Sequence, residues 1–89
     1  MADTDFAQTG LTQAVERFPA AAATLHRLAM ADPRFREICE EYGLAQHSLA
    51  TFEARPDAAR RPEIADYRVV IAELEREIDR FLKESGQSG

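Results

Sequence analysis

The sequence predicts an all-α fold: a long antiparallel helical hairpin preceded by a shorter helix. Three observations predict it. Two stretches carry six seam residues each at spacings of 3, 4, 3, 4 and 3, the a/d spacing of helices that pack along one stripe. Prolines at 19, 33 and 62 stand where helices begin rather than inside them. No alternation of apolar and polar residues is long enough for a strand.

Residues 1–10 are polar and end in Gly10, which predicts a flexible tail. Leu11, Val15 and Phe18 then share one face of a short amphipathic turn. Pro19 opens a helix over about 19–31, rich in alanine, the strongest helix former. Ala22, Leu25 and Ala29 line one side of it, with Leu28 beside them.

Asp32-Pro33 is the clearest punctuation. Aspartate accepts hydrogen bonds from the free N–H groups of a helix start, and proline suits the first turn. From there Phe35, Ile38, Tyr42, Ala45, Leu49 and Phe52 form the first seam, on a helix over about 33–54. Gly43 lies inside it at a cost of about 1 kcal/mol relative to alanine. The seam continues on both sides, so the helix is read as passing through.

A connector with Pro56 and Pro62 follows, and a helix over about 62–84 carries the second seam: Ile64, Tyr67, Ile71, Leu74, Ile78 and Phe81. Matched helices of roughly 33 Å, at 1.5 Å rise per residue, joined by a short connector, turn back antiparallel and close their seams on each other. The organisation expected is a flexible tail at 1–10, one helical domain at 11–84 and a second tail at 85–89.

Composition narrows the function. The chain has 89 residues, and its leucine, isoleucine, valine and phenylalanine together number nineteen, close to the floor for a globular chain. The core is therefore thin, and association with a partner or with itself would add to it. A net charge of −5 argues against general nucleic-acid binding and against docking on anionic lipid. No apolar run reaches the length of a membrane span. The acidic start Met1-Ala2-Asp3-Thr4-Asp5-Phe6 is unlike a secretory signal, and the single Cys39 forms no internal disulfide, so a reducing cytoplasm is expected. Ten arginines against one lysine and sixteen alanines fit a GC-rich bacterial genome by association.

The segment from Phe18 to Leu82 resembles the YdcH-like family of small bacterial proteins of uncharacterised role. The resemblance runs through Phe18-Pro19, Leu25 to Leu28 and Asp32-Pro33-Arg34-Phe35. It includes Tyr42 and Glu53, then Leu74-Glu75-Arg76-Glu77-Ile78. In that last stretch Leu74, Glu77 and Ile78 match the family pattern, while Glu75 and Arg76 replace its usual lysine and aspartate. The lysines that usually precede the stretch are absent here, where Val69, Val70 and Ile71 stand. The resemblance implies a helical hairpin and no reaction.

Residues capable of chemistry are few. His26 and His47 fall on different helices with no second ligand at zinc-binding spacing. Cys39 has Arg36 one turn back, but Glu40 and Glu41 follow it, which suits a packing residue more than a reactive thiol. Ser48 and His47 are adjacent and point apart on a helix. Glu40-Glu41 and Glu73, Glu75 and Glu77 read as solvated faces, with Glu73 and Glu77 supported by Arg76 and Arg80 at i, i+3. Arg55, Arg60 and Arg61 cluster at the connector without interleaved aromatics, so they read as a solubilising loop. No metal, cofactor or catalytic residue is expected.

A second stripe is more informative. Cys39, Gly43 and Ala50 lie on one flank of the first seam helix; Ala65, Val69 and Ala72 lie on a flank of the second. Small side chains admit close helix approach. Either the 19–31 helix covers one of these flanks, or a flank is left for a partner. The first functional expectation is a non-catalytic protein–protein interaction module or assembly accessory presenting a helical face. The second is self-association into a homodimeric four-helix bundle. The third is a small RNA- or ribosome-associated regulator using the arginine-rich connector.

Overall fold

The computed structural model describes residues 5–86. Four α-helices are present among them and no strand: α1 (Phe6–Arg17), α2 (Ala22–Ala31), α3 (Pro33–Glu53) and α4 (Pro62–Glu84). Short 3-10 turns precede α2 at Pro19–Ala21 and lie in the connector at Ala58–Arg60. None of these helices is long and apolar enough to cross a membrane.

Helix starts follow capping chemistry. Asp5 Oδ1 accepts from the Gln8 N–H at 3.1 Å, and Asp32 Oδ1 from the Arg34 N–H at 2.9 Å. Phe18 leaves α1 with φ −128° because Pro19 follows and disfavours the helical conformation before it. At the end of α2, Arg36 Nη1 reaches back to donate to Ala29 O at 2.7 Å, satisfying a carbonyl left free by the last turn.

Helices α3 and α4 are antiparallel, because position rises along one as it falls along the other. Phe35 meets Phe81 edge to face, Tyr42 meets Glu75, and Phe52 stacks on Tyr67. Arg68 pairs with Glu53 at 2.8 Å across the end nearest the connector. The seam residues Phe35, Tyr42, Ala45 and Ile78 are buried. Ile38, Leu49, Phe52, Ile64, Tyr67, Ile71, Leu74 and Phe81 are half-buried. α3 runs unbroken through Gly43.

Two expectations are corrected. Residues 6–10 do not belong to a tail: they form the first turns of α1, and Gly10 is buried. The residues of the expected tails at 1–4 and 87–89 lie outside the described residues. The flank bearing Cys39 and Gly43 is covered, and by α1 rather than by the helix after Pro19. A Cβ placed on Gly10 would stand 1.7 Å from the Cys39 carbonyl oxygen, and one on Gly43 would stand 2.4 Å from that of Phe6. The two helices therefore cross backbone to backbone, each glycine making room for the other helix. α1 adds Leu11 and Ala14 to the core, and α2 adds Leu25.

This cover is incomplete for a geometric reason. At 1.5 Å per residue α1 spans about 18 Å and α2 about 15 Å, while α3 spans about 32 Å. The fully buried residues of α3 stop at Ala45, and those of α4 begin at Ile78. The molecule thus has a packed base, where all four helices meet. The connector halves of α3 and α4 form a two-helix arm whose seam is only half-buried.

Candidate interaction surface

Three large apolar side chains outside the base seam are exposed on the hairpin. Val69 is 57% exposed, Leu44 46% and Val70 41%. Val69 stands opposite the seam of α4, where a solvated helix ordinarily carries a charged residue. Ala65 is exposed and Ala72 half-buried along the same side, so Pro62, Ala65, Val69 and Ala72 form a low stripe at spacings of 3, 4 and 3. Ala50 of α3 is exposed as well, beyond the reach of α1.

The six residues marked by the sequence as a partner surface are therefore divided. Cys39 and Gly43 are internal, held under α1. Ala50, Ala65, Val69 and Ala72 belong to the arm. Nothing local to residues 39 and 43 distinguishes a flank that binds α1 from one that binds another chain; the missing signal was Gly10, whose lack of a side chain matches that of Gly43 across the crossing.

Beside the stripe lies an open groove of about 500 Å³ lined by Ala58, Ala59, Ile64 and Ala65 with Glu53, Arg61 and Arg68. Its charges are mostly neutralised in place. Arg61 lies 3.1 Å from Asp57 and 4.0 Å from Glu63, and Arg68 is held by Glu53. The Arg55 guanidinium sits over the Phe52 ring at 5.4 Å. The connector arginines are thus spread among acids and an aromatic ring, which is not the continuous basic face that phosphate binding requires.

Of the residues capable of chemistry, His26 and Cys39 line one open cleft with Asp5 and Arg36, and His47 is not among its lining residues. His26 is exposed, and so is His47, whose ring lies 5.4 Å from that of Phe6. No group of three or more His, Cys, Asp or Glu side chains with metal-binding geometry occurs among the described residues. Burial pushes the Cys39 thiol up to about 11, which keeps it protonated and unreactive at neutral pH. Tyr42 is pushed above the usual phenol range, first by burial and then by donating its O–H to Glu75 Oε2 at 2.8 Å. Glu75 also faces Arg17 at 3.6 Å, so this carboxylate ties α1 to the hairpin. Glu40, Glu41 and Glu73 are exposed, and Glu77 pairs with Arg80.

No family model, no curated protein and no solved structure matches this chain.

Proposed function

We propose that the protein is a non-catalytic interaction module, acting in the cytoplasm, whose base holds the fold and whose arm presents a helical face to another protein. The observation that carries this reading is Val69, 57% exposed at the centre of an apolar stripe on a helix otherwise faced with charge. Burying a valine side chain contributes about 1.5–3 kcal/mol, a gain the free chain leaves unused. The YdcH-like resemblance of residues 18–82 belongs to the same proposal: it suits a helical hairpin and brings no reaction with it.

Site-directed photo-crosslinking tests the reading. A crosslinker at position 69 should give a discrete adduct in a lysate of the source organism, and the same group at exposed Thr12 on α1 should not. Adducts of equal yield at both positions, or none at 69, would remove the arm as a binding face.

A further inference from the structure

We infer that the outer face of α4 takes a second copy of the chain, parallel and in register, as a short coiled coil. The inference rests on the reading of the arm as a binding face and names its occupant.

The stripe Pro62, Ala65, Val69 and Ala72 is itself an a/d seam, distinct from the inner one by two positions. In that frame Pro62, Val69 and Arg76 are a positions, and Ala65 and Ala72 are d positions. The residues just before each a, the g positions, are Arg61, Arg68 and Glu75. The residues just after each d, the e positions, are Asp66, Glu73 and Arg80. Charges at e and g decide partner and orientation in coiled coils.

In a parallel pair each g residue meets the e residue five positions later on the other helix. Arg61 then meets the partner's Asp66, Arg68 the partner's Glu73, and Glu75 the partner's Arg80. All three pairs join opposite charges, and the two-fold axis repeats each of them. An antiparallel pair would instead set e against e and g against g. Because g also holds Glu75 and e also holds Arg80, that arrangement mixes opposite-charge pairs with like-charge pairs, whereas the parallel pair joins opposite charges throughout.

Two of these groups, Asp66 and Glu73, are free among the described residues, while Arg61, Arg68, Glu75 and Arg80 hold partners within the chain that they would share or exchange on association. Asp66 and Glu73 are exposed and form no ion pair among the described residues. Arg61 is 31% exposed and faces Asp57 and Glu63 through its two Nη groups. Arg68 is bonded to Glu53 but its side chain is 63% exposed. At Arg76 the seam ends, because a parallel pair sets that arginine against its own copy. The interface is therefore about two heptads long, and association is weak and concentration-dependent.

Sedimentation velocity over a concentration series at low salt tests this with the full chain. Wild type should rise from 10.0 kDa toward twice that mass. A variant with Asp66→Arg and Glu73→Arg should stay monomeric, as should one with Arg61→Glu and Arg68→Glu. An equimolar mixture of the two variants should recover the dimer. Asp66, Arg68 and Glu73 are exposed and Arg61 half-buried, and an unchanged helical circular dichroism spectrum confirms that each variant folds. Orientation is read separately by Arg76→Cys, which oxidises to a disulfide dimer only if the two helices run parallel. A wild type that remains monomeric at millimolar concentration overturns the inference, as does a mixture that fails to pair. A position-69 adduct containing a different protein, with a monomeric wild type, would overturn the inference and leave the arm as a binding face.

Discussion

Replacing Gly10 with alanine should destabilise the protein, although helix propensity alone predicts the reverse. Alanine in a helix interior is favoured over glycine by about 0.5–1 kcal/mol. Against this, the new methyl carbon would lie 1.7 Å from the Cys39 carbonyl oxygen, half the distance of an ordinary contact. The obstacle is backbone inside a helix, so no rotamer change relieves it; α1 must move away by more than 1 Å. A gap of 0.5–1 Å already forfeits about a quarter to a half of a dispersion contact. Leu11 and Ala14, 7% and 0% exposed, would lose much of their burial, and overpacking of this kind costs about 1–3 kcal/mol or more. The net loss worked from these terms is about 2 kcal/mol, or a fall of roughly 8–16 °C in Tm for a domain of this size. Thermal and urea unfolding followed by circular dichroism measure it. A Gly10→Ala variant melting at or above the wild-type temperature would refute the backbone crossing of α1 and α3.

Truncation should divide the hairpin into two regimes: Ile78→Ala in the base should cost about 2–5 kcal/mol, whereas Leu49→Ala in the half-buried arm should cost about 1 kcal/mol, both read from urea midpoints. Alkali should destabilise the fold. The Cys39 thiol is raised to about 11 from 9.0, so its contribution is full below pH 9 and is lost as pH rises through 11. Tyr42, also raised, adds to that loss at still higher pH, and Tyr42→Phe should flatten this part of a stability–pH profile. Asp32→Ala, which removes the acceptor of the Arg34 N–H, should cost about 1 kcal/mol by the same unfolding assay.

Much of the hairpin was legible because its determinants are local. Asp32 and Pro33 specify a helix start through their own chemistry, and Pro62 likewise. The two seams specify which sides meet, since no other continuous apolar stripe of that length exists in the chain. What was not legible depends on residues far apart in sequence. Gly10 reads as a terminator when taken alone; its function is set by a carbonyl at position 39. Asp5 caps α1 through Gln8, a signal present in the sequence but outweighed by the polar run around it. The stripe of Cys39 and Gly43 showed correctly that a helix comes close, and could not show that the helix is the chain's own. The division into base and arm was equally hidden, because it follows from the reach of α1 and α2 over the hairpin rather than from any difference between the two ends of the seams.

That division gives one pair of helices two levels of local stability. Amide protons in the base, beneath α1 and α2, can exchange with solvent only when the whole cooperative unit opens. Those of the arm are secured by half-buried contacts between two helices, and can exchange through a smaller, less costly opening. Protection should therefore decline along α3 toward Glu53 and rise along α4 from Pro62, a gradient within continuous helices. Residues 44, 65, 69 and 70 can then change with little effect on whether the chain folds. Folding and recognition are assigned to opposite ends of the same two helices.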